Sequence, residues 1–318
     1  MIVAGFDEAG YGPTLGPLVV GYTAFEVPEQ DDDPCLWTAL GDAVRGDAPP
    51  RKGNDARVWV ADSKAIKPRK DGLRQLELGV LCFAGRREAT TLGALLRDLG
   101  ADAALGGQEW FRDLDAVRVP AHAWPGEVAT RAERLEQAGG AVGVRFLGAE
   151  VRALDARSYN DRIAATQNKA AVLEEACVSL LRSLRRKHAG RLSVTLDKHG
   201  GRSTYLRLLG RAFPMCALEI EVEGPEESAY TTETPEGPVR CVFRQGAEEA
   251  SLATALASMH CKYLRERLME RFNAWFLERV PGVRPTAGYA LDAKRFLAEV
   301  EPDLDRLGVA REDLVRAR

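Results

Sequence analysis

The chain opens with a short apolar run that ends in two adjacent carboxylates, Asp7 and Glu8, and then in a glycine loop, Gly10-Tyr11-Gly12-Pro13. An apolar run of this length bounded by turn residues reads as a strand over residues 1–8. Its end therefore presents two acids beside a loop with little side-chain bulk. Hard divalent cations such as Mg2+ or Mn2+ take oxygen ligands, and carboxylates supply both the ligand atoms and the compensating charge. Gly10 and Gly12 leave room for a phosphate or sugar backbone to approach. An isolated acidic pair is more often a solvated turn after a strand, so the rest of the chain has to decide.

A second acid repeats the pattern. The β-branched run 191–197 reads as a strand closing on Asp197, followed by Lys198-His199-Gly200-Gly201. In α/β sheets, sites gather at such strand ends; the plain alternative is a turn-starting Asp before a Gly-Gly. A third candidate lies in a long helix expected over about 248–280. Ser258, Lys262 and Glu266 stand at i, i+4 and i+8 and so share a face. Glu266 there is either a metal ligand or half of a surface Lys–Glu pair worth a few tenths of a kcal/mol. Arg182, Arg185, Arg186 and Lys187 suit a helix C-terminus as well as they suit a phosphate. Tyr289, after Gly288, could stack on a sugar or base or simply cap the core.

The remaining pattern is mixed. Residues 15–27, 76–84, 142–151, 217–224 and 238–245 read as strands, the last two as a hairpin. Residues 89–100, 127–138, 161–188, 291–299 and 310–317 read as helices. Strands first, then alternation with long helices, predict an α/β mixed sheet. With 318 residues the chain has enough material for two domains or for one with large insertions. The net charge of −3 excludes recognition of nucleic acid by bulk charge and leaves only a local basic patch. Six cysteines without a CxxC pair, and four histidines without zinc-finger spacing, argue for reduced thiols and against zinc. No apolar run approaches a membrane span; the expectation is a soluble, cytoplasmic protein.

Taken in order, these blocks resemble the type II ribonucleases H. The run from Gly5 to Gly21, GFDEAGYGPTLGPLVVG, is similar to that family's opening motif. Asp62-Ser63-Lys64 resembles its Asp-Ser-Lys segment, and Tyr159-Asn160 through Lys169-Ala170 the approach to its central helix. Asp197 occupies the place of its third acid. Ala257-Ser258, Lys262 and Arg265-Glu266-Arg267 resemble its Ala-Ser/Lys/Arg-acid-Arg helix, and Gly288-Tyr289 its Gly-Tyr.

The resemblance implies a ribonuclease H-like mixed five-stranded sheet flanked by helices. It implies one domain over residues 1–318, with insertions at about 28–56, 100–155 and 217–245. It implies catalytic and metal-binding roles for Asp7, Glu8, Asp197 and Glu266, with Mg2+ or Mn2+. Gly10, Tyr11, Gly12, Ser63, Lys64, Lys262 and Tyr289 would contact nucleic acid. The implied activity is endonucleolytic cleavage of the RNA strand of RNA/DNA hybrids, or cleavage at ribonucleotides embedded in duplex DNA. Two positions depart from the pattern. Tyr11 replaces the basic residue of the family's glycine loop, and Glu266 replaces an aspartate. They motivate the alternatives of a nucleic-acid-binding protein with weak or no cleavage, or a nuclease of this fold with another substrate.

Overall fold

The opening apolar run is strand β1 (Ile2–Ala9), followed by an antiparallel partner β2 (Leu18–Glu26). The structure, a computed structural model, describes residues 1–29, 34–49, 55–84, 90–101, 105 and 107–317. Short helices α1 (Leu36–Ala39) and α2 (Ser63–Ile66) flank a small parallel pair, β3 (Val44–Arg45) and β4 (Val58–Trp59). Helices α3 (Gly72–Ala84), α4 (Leu92–Asp98) and α5 (Pro125–Val142) precede β5 (Arg145–Leu154). Then come α6 (Ala156–Thr166), α7 (Lys169–Lys187), β6 (Leu192–Asp197) and α8 (Leu206–Ala212). Strands β7 (Leu218–Glu223), β8 (Glu227–Thr234) and β9 (Gly237–Arg244) lead to α9 (Ala247–Ala250) and α10 (Leu252–Leu277). Helices α11 (Ala290–Val300), α12 (Leu304–Leu307) and α13 (Arg311–Leu314) close the chain.

Among the described residues, seven strands form one mixed sheet in the order β5-β2-β1-β6-β9-β8-β7. The α/β class with a mixed, helix-flanked sheet is as expected, but the sheet has seven strands rather than five. Residues 217–245, expected as an insertion, contain three strands of the same sheet, β9 pairing directly with β6, and the other four are β1, β2, β5 and β6. The expected two-strand hairpin is in fact β7 and β9 separated by β8. Parts of the other expected insertions (30–33, 50–54, 102–104 and 106) lie outside the described residues.

The centre of the sheet decides where chemistry can occur. β1, β6 and β9 run parallel to one another, so their C-terminal ends lie together. Side chains alternate across the pleat. Ile2, Ala4 and Phe6 face the core built with α7 and α8, while Val3 and Ala9 face the one built with α3 and α10. Asp7 is in step with the second set and Glu8 with the first.

Helix α10 lies against β1 because Gly5 permits it. A Cβ there would stand 2.0 Å from the Thr254 nitrogen. Thr23 Oγ1 donates to the Ala253 carbonyl at 2.7 Å and Thr254 Oγ1 to the Thr195 carbonyl at 3.3 Å, fixing the start of the helix over the strand ends.

Residues 76–84, expected as a strand, belong to helix α3. Nearly every residue from Gln75 to Phe83 is buried, between α10 and α5, so no polar face reveals the helical period. The helix expected over 248–280 is broken at Ser251, whose backbone is extended (φ −131°, ψ 118°) and whose Oγ caps α10 by accepting from the Thr254 N–H at 3.3 Å. The helix expected over 161–188 is likewise two, turning at Gln167 with φ +51°.

Candidate metal centre

Asp7 approaches the end of β1 and Asp197 is the last residue of β6. The register pairs Phe6 with Leu196, so the two acids stand level on neighbouring parallel strands, on the face toward α10. The third strand contributes through the turn that follows it. β9 ends at Arg244, and α9 then carries Glu248 back over the strand ends. One carboxylate oxygen from each of Asp7, Asp197 and Glu248 lies within 4.8 Å of the others. Glu8, on the opposite side of the pleat, does not join this triad but remains close enough to feel Asp197 and Glu248.

The electrostatics are those of an under-compensated acidic site. Burial and the neighbouring Glu8 carboxylate push Asp7 well above the usual aspartate range. Burial and Asp197 push Glu8 up to about 7. Burial and Glu248 also raise Asp197, while the nearby backbone amides of Ala247 and Lys198 pull it the other way. The principal cation at the cluster is Lys64, whose Nζ donates to Glu248 Oε1 at 3.0 Å. Asp62 holds this lysine in place by capping α2, accepting from the Lys64 N–H at 2.9 Å. Ser258 Oγ lies 2.9 Å from Ser63 Oγ and also hydrogen-bonds the Asp7 carboxylate. A hydroxyl has one proton to give, so Ser63 donates to Ser258 whenever Ser258 donates to Asp7.

This set fits a divalent cation. The donors are hard oxygens from two strand ends and from the helix that follows a third, they converge without a matching number of cations, and burial with neighbouring carboxylates raises Asp7 and Asp197.

Glu266 is placed elsewhere. Its carboxylate is taken by Lys262 Nζ at 2.8 Å and Lys67 Nζ at 3.1 Å. Against the upward push of burial, these two ammonium groups hold it below the usual range. It is a satisfied ion pair on α10, the plainer of the two readings open to it, and Glu248 occupies the position at the cluster. Lys262, tied to Glu266, stays with it.

The glycine loop is built from beneath by arginine. Gly10 has φ +91°, and a Cβ there would meet Arg265 Nε at 2.5 Å and the Pro17 carbonyl oxygen at 2.6 Å. A Cβ on Gly12 would meet nothing within 4 Å, so that backbone is open to a ligand. Arg265 is buried and donates to the carbonyls of Ala287 (3.1 Å) and Leu15 (3.4 Å). Arg316 Nε donates to the Pro13 carbonyl at 3.1 Å, and burial lowers its guanidinium to about 10.

The Gly288 carbonyl accepts from the N–H groups of Thr14 (2.8 Å) and Leu15 (3.1 Å), so the loop bearing half-exposed Tyr289 is tied to the glycine loop. Tyr11 lacks a charge of its own, but Lys169 Nζ sits 4.5 Å from its ring centre and brings a cation to the loop.

Sequence reasoning missed Glu248, Arg265's role beneath the loop, and Lys169's place over Tyr11. A signal for Glu248 was present: a third strand, residues 238–245, followed within four residues by an acid.

No family model and no curated protein matches the sequence. Solved structures similar to it include ribonucleases HII and HIII. A chain in the structure of the PCNA:RNase HII complex from Archaeoglobus fulgidus aligns over 100% of this chain and 95% of its own, at 18% identity and a TM-score of 0.44. The ribonuclease H2 from Pyrococcus horikoshii OT3 aligns over 99% and 92%, at 16% identity and a TM-score of 0.43. Bst-RNase HIII in complex with Mn2+ aligns over 99% of this chain and 66% of its own, at 14% identity and a TM-score of 0.41. Among the described residues, no helix is long and apolar enough to cross a membrane.

Proposed function

We propose that this protein is a divalent-metal-dependent endonuclease that hydrolyses phosphodiester bonds beside ribonucleotides, in RNA/DNA hybrids or in duplex DNA. The observation that carries the reading is the convergence of Asp7, Asp197 and Glu248 at the ends of three parallel strands. The opening motif's resemblance to type II ribonucleases H supports it independently. Asp7, Asp197 and Glu248 would hold Mg2+ or Mn2+, with Glu8 adding charge from the other side of β1. A bound divalent ion supplies Lewis acidity at the phosphoryl group and favours ionisation of an attacking water.

The chain's own residues would position the substrate. The open backbone at Gly12 lets a sugar–phosphate strand approach, and a 2′-hydroxyl is the feature that separates RNA from DNA there. Tyr289 offers a half-exposed ring for stacking on a sugar or base. Lys64 and Lys169 place positive charge at the cluster and at the loop.

Cleavage of end-labelled duplexes with Mg2+ or Mn2+ tests the proposal: an RNA/DNA hybrid, a DNA duplex with one ribonucleotide, and DNA alone. Cutting of a ribonucleotide-bearing duplex, abolished in Asp7→Asn, is the expected result. Cutting of DNA alone would replace the substrate. Salt-sensitive binding of duplexes with no cutting would overturn the enzyme and leave a binding protein.

A further inference from the structure

Arg202, Arg207 and Arg211 converge on a single carboxylate. Glu174, on α7 with its side chain 5% exposed, meets Arg211 Nη1 at 3.0 Å, Arg202 Nη1 at 3.1 Å and Arg207 Nε at 3.9 Å. One negative charge cannot balance three guanidiniums, which stay protonated at any working pH. Glu175 adds a second acid but is shared at 3.9 Å between Arg211 and a further arginine, Arg162. Arg182 reaches no carboxylate among the described residues; its Nε donates to the Arg211 carbonyl at 2.9 Å. Four arginines thus share two glutamates, and Arg182 beside them has neither. Arg207 keeps its side chain 83% exposed, and Arg182 is exposed as well.

The excess charge is continuous with the acid cluster. Arg202 draws on the Tyr11 phenol, which also feels Glu8, and Lys169 at the start of α7 covers the Tyr11 ring.

In a chain of net charge −3, a local arginine surplus beside a loop open to phosphate is the local basic patch that a polyanion would bind by displacing counterions. We propose that Arg182, Arg202, Arg207 and Arg211 form a track for the nucleic-acid backbone that holds the duplex arm extending from the cleavage site. The identity of the polyanion rests on the nuclease reading above; the track itself rests on the charge imbalance.

The test is binding of a labelled DNA duplex carrying one ribonucleotide, followed by anisotropy across a salt series. It compares the Asp7→Asn protein with the same protein carrying Arg182→Glu and Arg207→Glu. Both positions are exposed, and thermal melting checks that the fold is kept. Loss of two phosphate contacts lowers the slope of log K against log salt by about 2, and affinity near 0.1 M salt falls roughly tenfold or more. The milder Arg182→Gln/Arg207→Gln pair shows a smaller loss in the same direction. Arg134→Glu, on α5, is the control for a change of net charge and leaves the slope as it was.

An unchanged slope and affinity in the Glu variant overturns the track, as does failure of the Asp7→Asn protein to bind any duplex. The two readings separate cleanly. A wild-type protein that cuts nothing, with a slope that still depends on Arg182 and Arg207, refutes the nuclease and keeps the track. Cutting with an unaltered slope does the reverse.

Discussion

Buried carboxylates occur in two regions of this sheet, and their surroundings differ. On the edge strand β5, Glu150 is met by Arg152 Nη2 at 2.6 Å, Ser183 Oγ at 2.7 Å, Lys187 Nζ at 2.7 Å and the Tyr22 hydroxyl at 3.1 Å. Against the upward push of burial, these donors hold its carboxyl down to about 2. At the centre of the sheet, Asp7, Glu8, Asp197 and Glu248 have Lys64 as their principal cation, and burial with mutual repulsion raises Asp7, Glu8 and Asp197. Both regions bury acids; only one supplies enough donors. An acid placed for stability brings its partners with it, as Glu150 does and as Glu77 does by accepting from three backbone N–H groups of residues 121–123 and from Tyr263. Acids left short of donors store repulsion that a cation can relieve.

The comparison breaks most visibly if the under-compensated acids are not the ones that matter. Glu248→Gln is expected to lower cleavage of a ribonucleotide-bearing duplex by about a thousandfold, since a metal's charge stabilisation is worth several kcal/mol and each ~1.4 kcal/mol is a factor of ten. Glu266→Gln removes a satisfied partner of two lysines and is expected to stay within roughly tenfold of wild type. Single-turnover rates at saturating protein decide. The reverse ranking would return Glu266 to the catalytic set and make Glu248 a partner of Lys64.

For Glu150 the readout is stability. Glu150→Gln leaves Arg152 and Lys187 without their carboxylate. Breaking a fully buried pair costs roughly 3–5 kcal/mol, but Lys187 is half exposed, so solvent recovers part of this. A loss of about 2 kcal/mol in urea unfolding is expected. A loss no larger than that of a surface pair, below about 1 kcal/mol, would show that the donors around Glu150 contribute little.

This contrast also separates what could be read from the residues from what could not. β1 and β6 were legible because each is a short apolar run with an acid at its end, and parallel pairing then brings Asp7 and Asp197 together. Glu248 was not, because two adjacent glutamates before a long apolar segment look like the acidic first turn of one helix. The break at Ser251 that lifts α9 over the strand ends depends on Gly5 admitting α10, a long-range contact. Glu266 drew attention for its i, i+4 spacing from Lys262, and that same spacing is what satisfies it. Helix α3 was hidden for the opposite reason: buried on all sides, it has no periodicity to show.

Neutralising an under-compensated acid should do the opposite of neutralising Glu150. Asp7→Asn removes a buried carboxylate that burial and Glu8 both disfavour, so the metal-free protein is expected to be more stable than wild type near pH 8 by urea unfolding. Added Mn2+ should raise the melting temperature of wild type and leave that of Asp7→Asn nearly unmoved, because binding to the folded state stabilises it by mass action. Destabilisation by Asp7→Asn without metal would mean that the Ser258 hydrogen bond outweighs the repulsion.

The smallest effect is the pH dependence of the Glu150 contribution, and its sign follows from the direction of the shift. The folded-state carboxyl titrates at about 2, below its ordinary 4.5, so the folded protein holds the proton less tightly than the unfolded chain. The stabilisation is therefore complete above pH ~4.5 and is lost as pH falls toward 2. His260 complicates the total, because burial lowers it from 6.5 to about 4, which removes stability over a higher range as the unfolded chain takes up a proton. The difference between wild type and Glu150→Gln cancels that term, since His260 is common to both. This difference should be flat from pH 8 to about 5 and then shrink steadily. A difference that stays constant down to pH 3 would mean that Glu150 acts through packing and neutral hydrogen bonds, and the contrast with the central acids would then be one of burial alone.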